Sequence, residues 1–293
     1  MENELNPVSL DTLCAALCAV MGIEPPREAA PANETLVRFA RDAFGGGHAD
    51  RVVMYNPDAV AMWIMDKYPE FFAEVNAIAP LALPMQTVMP SVTPVCFGTM
   101  YTGAQPAVHG IRKYEKPVIR IDTIYDALLR AGRRPVIIAD TQCSMGKIFL
   151  ERKMDYFHFE TIAEINACAA ELILRDEYDF IAVYNGNYDA TMHKNGPEAP
   201  ITLAEGRANA RAFATLAALI RTHWTQHNTL LGFAMDHGCH EIDGGCGSHG
   251  LDMPEDLNIR HRYAAFPRGA EPPFGPLTAS AGLKAITRRL VRL

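Results

Sequence analysis

The sequence predicts an α/β protein, a three-layer α/β/α sandwich with a mainly parallel central sheet. Short apolar runs typical of buried strands alternate with helical stretches, and these runs lie at residues 51–55, 135–139, 180–184 and 230–234. Hydrophobic side chains make up 49% of the 293 residues and charged side chains 21%, a globular balance that excludes a disordered chain or a fibrous repeat. Because sheets of this kind gather their sites at the carboxyl ends of strands, functional residues are expected there.

The chain before the first strand predicts two helices. Apolar residues at helical spacing predict a helix over residues 10–21 that stops at Gly22, and a second helix follows over residues 35–44. Three glycines then break the chain. Residues 1–50 are therefore predicted to form an N-terminal helical segment packed on the core, and residues 51–293 the main domain.

Two further helices connect the predicted strands. An amphipathic helix follows Asp122 and stops at Gly132. A longer helix opens at Thr202, which with Glu205 forms a capping box, and it runs to about residue 227. This alternation of strand and helix favours a mainly parallel sheet with helices on both faces.

Charge and hydropathy exclude several classes of protein. The chain has 27 Lys and Arg against 34 Asp and Glu, a net charge of −7, so it has no overall attraction to nucleic acid or to an anionic membrane. No apolar stretch approaches the roughly 18 residues that a membrane span needs. The seven scattered cysteines and the acidic start of the chain favour a cytoplasmic protein with reduced thiols. The basic stretch at 283–293 is interpreted as the solvated face of a terminal helix.

Three of the predicted strands are followed by an aspartate. These are Asp58, Asp189 and Asp236. Carboxylates at the carboxyl ends of adjacent strands converge and repel one another if they are unpaired, so their convergence indicates a bound cation.

Histidines accompany these carboxylates at metal-ligand spacing. His193 lies four residues after Asp189, and His237 directly follows the third aspartate. Sharing a metal there requires the backbone to turn, which Gly238 permits. His249 lies in a glycine-containing loop twelve residues further on. Each pair alone is more typical of a structural contact than of a metal site, but together, at predicted strand ends, they favour a metal centre.

The segment around Thr93 predicts a short helix. Thr93 precedes Pro94, the arrangement of a capping residue followed by proline at the first helical position, and Gly103 suits the helix end. Free amides and a partial positive charge at a helix N-terminus bind a phosphoryl group and favour the threonine alkoxide. The same residues also fit a threonine that only caps the helix, and the pattern leaves both interpretations open.

These motifs together resemble the nucleotide pyrophosphatase/phosphodiesterase branch of the alkaline phosphatase superfamily. Thr93, residues 102–103 and residues 106–110 resemble its nucleophile segment. Residues 189–197, 236–238 and 247–252 resemble its remaining metal motifs, in the same order. The resemblance spans roughly residues 51–252 and implies an alkaline phosphatase-like catalytic domain over 51–293.

The resemblance also implies a site and a reaction. One divalent metal would be held by Asp189, His193 and His249, and a second by Asp58, Asp236, His237 and the oxygen of Thr93. Zinc is the expected metal, with manganese as the alternative. Thr93 would attack phosphorus and form a phosphothreonine intermediate that water then releases. The implied activity is a phosphodiesterase/nucleotide pyrophosphatase-like hydrolase of phosphoric esters, whose partner is a small phosphorylated substrate rather than a nucleic acid polymer or a membrane.

The sequence departs from the family pattern at Cys96. The diesterase branch carries an asparagine here, three residues after the nucleophile, to hold a phosphoryl oxygen, and a thiol is a poor donor. A phosphomonoesterase, a phosphonate hydrolase and a phosphomutase of the same superfamily therefore stay open. A sulfatase does not, because the Cys-x-Pro-x-Arg type pattern is absent. His109 and His240 match no ligand position and are interpreted as structural.

One alternative comes from a different class of protein. His237, Cys239, His240, Cys246 and His249 lie close together in the chain and could form a structural zinc loop. Thiolate ligands would give a closed four-coordinate site without catalysis.

Overall fold

The central sheet contains seven strands in the order β2-β9-β6-β1-β5-β3-β4 in the computed structural model, which describes residues 4–270. Strands β7 and β8 form a separate hairpin. The strands are β1 (Arg51–Pro57), β2 (Leu81–Gln86), β3 (Pro135–Asp140), β4 (Asp155–Phe159), β5 (Phe180–Asn185), β6 (Thr229–Phe233), β7 (His240–Ile242), β8 (Cys246–Ser248) and β9 (Asn258–Phe266). The five strands from β6 to β4 run parallel, whereas β9 is antiparallel to both of its neighbours.

Helices flank this sheet, so the predicted α/β sandwich with a mainly parallel sheet is confirmed. The helices are α1 (Thr12–Met21), α2 (Glu34–Ala43), α3 (Met62–Lys67), α4 (Ala73–Ile78), α5 (Thr93–Thr102), α6 (Pro106–His109), α7 (Ile124–Arg130), α8 (Ser144–Ile148), α9 (Ile162–Arg175), α10 (Asn187–Asn195), α11 (Pro200–His223) and α12 (Pro254–Leu257), with a 3-10 helix at Pro69–Phe72. No helix among residues 4–270 is both long enough and apolar enough to cross a membrane.

The central strands are buried along nearly their whole length. Every residue of β5 and β6 is buried, which explains why their sequences are continuous apolar runs rather than alternating ones. An aromatic cluster ties the sheet to α11, since the ring of Phe213 packs edge-on against Tyr55 of β1 at 6.4 Å and Phe233 of β6 at 5.4 Å. The four predicted strands are all present, each within two residues of its predicted ends.

The N-terminal residues pack on the rest of the molecule through both backbone and side chains. Helix α1 ends at Gly22, which has the left-handed backbone that favours glycine (φ 68°), as predicted. The thiol of Cys14 donates to the carbonyl of Tyr101 in α5 at 3.5 Å. The Leu10 amide donates to the Gln86 carbonyl at 2.9 Å, which extends the sheet beyond β2. The division of the chain into 1–50 and 51–293 stays a prediction.

One helix start was predicted wrongly. Helix α11 begins at Pro200 after the N-cap residue Ala199, so Thr202 is inside the helix and forms no capping box. The hydroxyl of Thr202 is buried and has no hydrogen-bond partner among the described residues. Proline at the first helical position has a backbone already suited to the helix, and it sets the start here. The basic stretch at 283–293 lies outside the described residues.

Candidate metal centre

Three neighbouring strands place the predicted carboxylates at one edge of the sheet. Asp58 directly follows β1, Asp236 follows β6, and Asp189 lies in the first turn of α10, just after β5. Because β6, β1 and β5 are adjacent and parallel, their carboxyl ends meet, and the three carboxylates lie at the same edge of the sheet.

The first set of side chains lies in the interior, and we call it the buried group: Asp58, Asp236 and His237. Their potential ligand atoms all lie within 4.8 Å of one another. His237 Nε2 is 3.4 Å from Asp58 Oδ1 and 3.4 Å from Asp236 Oδ2, and none of the three side chains is more than 1% exposed. These residues are three of the four that the family resemblance assigns to the second metal.

The second set is more exposed, although its His249 side chain is only 7% exposed, and we call it the open group: Asp189, His193 and His249. His193 Nε2 is 3.2 Å from Asp189 Oδ1 and 3.2 Å from His249 Nε2. The side chain of Asp189 is 20% exposed and that of His193 41%. Asp189 and His193 share one turn of α10, while His249 follows β8, so a helix and a hairpin meet to form this group. The rings of His237 and His249 stack at 4.0 Å and join the two groups.

All three histidines are oriented in the same way. Each ring places Nδ1 against a backbone carbonyl: His237 on Gly238 (2.9 Å), His193 on Gly247 (3.0 Å) and His249 on Ser91 (2.9 Å). Since a carbonyl only accepts, Nδ1 must donate, and in the neutral ring this leaves Nε2 as an acceptor. The three Nε2 atoms therefore point at carboxylate oxygens, so that two hydrogen-bond acceptors face each other. A cation between them would bind both and remove the repulsion.

One oxygen of each carboxylate also lacks a hydrogen-bond donor within residues 4–270. Asp58 Oδ1, Asp189 Oδ1 and Asp236 Oδ2 are buried and have no hydrogen-bond partner among the described residues. Each of these oxygens is the one that faces a histidine Nε2. A buried charged oxygen without a partner is costly, and mixed imidazole and carboxylate ligands suit zinc or manganese. The residues therefore fit divalent metals in both groups.

The two groups have opposite electrostatics in the metal-free protein. Burial, aided by Asp189, raises the pKa of Asp58 to about 7, and burial together with Asp58 raises the pKa of Asp236. Burial alone would raise the pKa of Asp189 too, but the nearby imidazoles of His193 and His249, with Nε2 atoms 3.2 and 3.4 Å from Oδ1, outweigh it and lower that pKa. The Asp189 carboxylate in turn favours the protonated ring and raises the pKa of His193 to about 8. In the open group, a proton on a histidine thus supplies the positive charge that a bound cation would otherwise supply.

Thr93 lies beside the buried group and does not cap its helix. Helix α5 begins at Thr93 itself after the N-cap residue Val92, and no side chain caps it. The predicted capping role is therefore wrong, because the helix starts one residue earlier than the proline rule suggested. The hydroxyl of Thr93 instead lies 3.4 Å from Asp58 Oδ2 and 3.4 Å from His237 Nε2. Gly103 ends the helix with left-handed backbone (φ 72°), as predicted.

Gly238 is required for a different reason than the one predicted. A Cβ at this position would lie 2.0 Å from the carbonyl oxygen of Glu255. The amide of Gly238 also donates to the carbonyl of Asp256 at 2.8 Å. The glycine therefore makes room for a neighbouring segment, which holds the backbone after His237 in place.

Two residues that support the site were not predicted from the sequence. Tyr184 donates a hydrogen bond to Asp58 Oδ2, and Thr87 donates to the backbone carbonyl of Asp236 at 2.6 Å. Tyr184 continues the apolar run of β5, so in the sequence it has the pattern of a core aromatic residue. Only its position on a strand adjacent to Asp58 could have indicated its role.

Other candidate residues lie outside the two groups. His109 packs against Gly98 of α5, and His240 places Nδ1 2.7 Å from Asp256 Oδ1. No group of three or more ligating side chains within residues 4–270 includes a cysteine. Cys239 is buried, and the thiol of Cys246 donates to the Lys194 carbonyl at 3.7 Å. The described part of the chain therefore does not assemble the thiolate ligands that a structural zinc loop requires.

Comparison with known proteins gives structural matches only. No family model and no curated protein matches the sequence. Murine ectonucleotide pyrophosphatase/phosphodiesterase 5, as an inactive variant in complex with AMP, superposes with a TM-score of 0.54 at 15% identity. The match covers 67% of this chain and 59% of the murine chain. This chain has an alkaline phosphatase-like fold.

A bacterial enzyme gives similar matches. Phosphonoacetate hydrolase from Sinorhizobium meliloti 1021 has TM-scores of 0.48 and 0.47 in its complexes with phosphonoformate and phosphonoacetate, each at 17% identity. These matches cover 68% and 67% of this chain, and 59% and 58% of the bacterial one. The chain thus spans less than two thirds of the length of the proteins it resembles.

Proposed function

We propose that this protein is a metal-dependent hydrolase of phosphoric esters in which Thr93 is the nucleophile. One observation carries the proposal: six side chains of metal-ligand type form two adjoining groups, and a threonine hydroxyl at a helix start lies 3.4 Å from two members of one group. A structural metal site needs no such hydroxyl.

The two groups divide the ligands between two divalent cations. The buried group together with the oxygen of Thr93 would hold one ion, and the open group the other. Zinc is the proposed ion, and manganese also suits these ligands. When bound, such ions polarise phosphoryl oxygens and lower the pKa of coordinated hydroxyl groups.

The residues of the chain supply the nucleophile and its orientation. The Thr93 hydroxyl donates to Asp58 Oδ2 at 3.4 Å, a long bond that leaves its oxygen available for attack. In the first step the Thr93 hydroxyl loses its proton and Oγ1 forms a bond to phosphorus. The bond from phosphorus to the leaving oxygen breaks, and that oxygen departs with the electron pair and takes up a proton. In the second step water displaces Thr93 from phosphorus, which restores the hydroxyl and releases phosphate or a phosphate monoester. The N-terminus of the ten-residue helix α5 adds a partial positive charge beside the phosphoryl group.

The similar structures support a small phosphorylated substrate. The murine protein is named as a pyrophosphatase and phosphodiesterase, holds AMP, and is inactive as a threonine-to-alanine variant. We therefore propose phosphodiesterase or nucleotide pyrophosphatase-like activity for this chain. Cys96 favours a second candidate, a phosphomonoesterase or phosphonate hydrolase, because its buried thiol contacts the Val88 carbonyl at 3.9 Å and is a weak donor to a phosphoryl oxygen.

The experiment compares Thr93→Ala with Thr93→Ser in the hydrolysis of aryl phosphate monoesters, aryl phosphate diesters and phosphonoacetate. We expect Thr93→Ala to lower kcat by about 10³-fold or more while the six other ligands keep both ions bound, and Thr93→Ser to keep measurable turnover. Mass spectrometry of the acid-quenched wild type should detect phosphothreonine at position 93. Thr99→Ala, a buried threonine of the same helix, serves as the control and should retain activity. Wild-type turnover by Thr93→Ala would contradict the proposal. The preferred substrate distinguishes the phosphodiesterase from the phosphomonoesterase or phosphonate hydrolase.

A further inference from the structure

Tyr184 contacts the buried group of metal-ligand side chains. It lies on β5, five residues before Asp189, and is 7% exposed. Its hydroxyl crosses to the neighbouring strand and donates to Asp58 Oδ2. The phenol therefore connects the strand that leads to the open group with a carboxylate of the buried group.

This contact makes the two oxygens of Asp58 different. Oδ2 accepts from Tyr184 and, at 3.4 Å, from Thr93. Oδ1 is buried, has no hydrogen-bond partner among the described residues, and lies 3.4 Å from His237 Nε2. A carboxylate held by donors on one oxygen cannot rotate without breaking those bonds, so Oδ1 is the oxygen left to face a cation.

We propose that Tyr184 is a positioning residue whose hydroxyl fixes which oxygen of Asp58 faces the cation of the buried group. The inference rests on the proposed function, because it requires a cation at that group. Hydrogen bonds of this kind hold a ligand in its binding geometry, and their loss typically lowers metal affinity roughly 10–100-fold.

Gly186 gives independent support. Its backbone (φ −93°, ψ 13°) is one that alanine can adopt, so the conformation does not require glycine. A Cβ at this position, however, would lie 2.8 Å from Tyr184 Oη and 3.2 Å from the ring carbon Cε1. The glycine is needed to make room for the phenol, and most of all for its hydroxyl.

The ring of Tyr184 is held separately from its hydroxyl. It packs edge-on against Phe97 of α5, with ring centroids 5.8 Å apart. Phenylalanine at position 184 would keep this contact and remove only the hydrogen bond to Asp58. Tyr184→Phe is therefore a clean test of the hydroxyl.

The experiment measures zinc affinity of the full metal-free chain by competition with a chromophoric chelator. We expect Tyr184→Phe to weaken one of the two sites roughly 10–100-fold and to leave the other unchanged. Combination with His193→Ala, which impairs the open group, identifies the weakened site as the buried one. Tyr125→Phe is the matched control, since Tyr125 is 0% exposed and its hydroxyl has no partner among the described residues. It should change neither site.

A double-mutant cycle sharpens the test. Gly186→Ala should also weaken the buried site, because the new Cβ displaces the phenol hydroxyl. In the Tyr184→Phe background it should add little further loss, since the hydroxyl is already gone. Wild-type affinity at both sites in Tyr184→Phe would overturn the inference, and so would equal weakening of both sites with a lowered unfolding temperature. A wild-type chain that binds no divalent cation would overturn the proposed function itself.

Discussion

The buried group and the open group lie side by side, yet different parts of the molecule hold them. The buried group lies just after β1 and β6 at the centre of the sheet, and its side chains are at most 1% exposed. The open group comes from α10 and the chain after the β7-β8 hairpin, and His193 is 41% exposed. One site is thus part of the core, whereas the other forms where two peripheral elements meet.

The groups also differ in charge. The buried group has two carboxylates and one imidazole, and the open group has one carboxylate and two imidazoles. Without a cation the buried carboxylates repel each other, while the open group is stabilised by histidines that can carry a proton. The two sites should therefore respond differently to metal removal, to substitution and to pH.

Metal removal should give the largest effect. We expect a strong chelator to remove one equivalent of metal quickly from the open group and the second slowly, because release from the buried group requires the core to open. Turnover should fall by about 10³-fold or more with the first equivalent, since a catalytic cation supplies several kcal/mol and each 1.4 kcal/mol is a factor of ten in rate. Stopped-flow chelation with parallel activity assays measures both. Release of the two equivalents in a single phase would contradict the distinction between the sites.

Chemical rescue should show whether added imidazole can enter each group. His193→Ala leaves a gap at a solvent-exposed position, so added imidazole should restore part of its lost activity. His237→Ala creates its gap at a side chain that is 0% exposed, and imidazole should not enter it. The measurement is kcat against imidazole concentration for the two variants. Equal rescue of both would show that burial does not limit access to the sites.

Neutral substitutions should shift the stability of the metal-free protein in opposite directions. At pH 8 we expect Asp58→Asn to raise the free energy of unfolding by roughly 2–4 kcal/mol, because it removes a buried charge whose pKa is raised to about 7. Asp189→Asn should lower it by a smaller amount, because it removes a partly exposed negative charge that lies against two imidazoles. Urea unfolding of the chelated proteins measures both.

The pH dependence of these differences follows from the pKa directions. The folded protein holds a proton on Asp58 more tightly than the unfolded chain does, so this residue costs stability as pH rises from about 4 through 7. The benefit of Asp58→Asn should therefore fade below about pH 4. Asp189 has a lowered pKa, so its contribution is present above the unfolded value and lost as pH falls below about 4. A benefit of Asp58→Asn that does not change with pH would contradict this account.

The buried group was the easier part to predict from the sequence. Apolar runs fix the central strands, and in a parallel sheet the residues that follow them must converge, so Asp58 and Asp236 follow from the pattern alone. The i,i+4 spacing of Asp189 and His193 was equally readable, since α10 places them on one face. The position of His249 depends on the β7-β8 hairpin, which was not predicted from the sequence.

The elements that the sequence missed are those where tertiary contacts outweigh local pattern. Strand β2 contains Pro84, and β9 carries Arg260 and Arg262 within the strand, so neither has the continuous apolar run of a central strand. Strand β4 lies at the sheet edge and was missed as well. Tyr184 was missed because a phenol that donates to a carboxylate cannot be told in the sequence from one that only packs.

The most direct test of the central claim is anomalous X-ray scattering from crystals of the full chain grown with zinc. The account predicts two strong peaks, one within the buried group near Thr93 Oγ1 and one within the open group. A single peak bound by Cys239 and Cys246, or no peak at either group, would contradict the two-metal site and with it the proposed hydrolase.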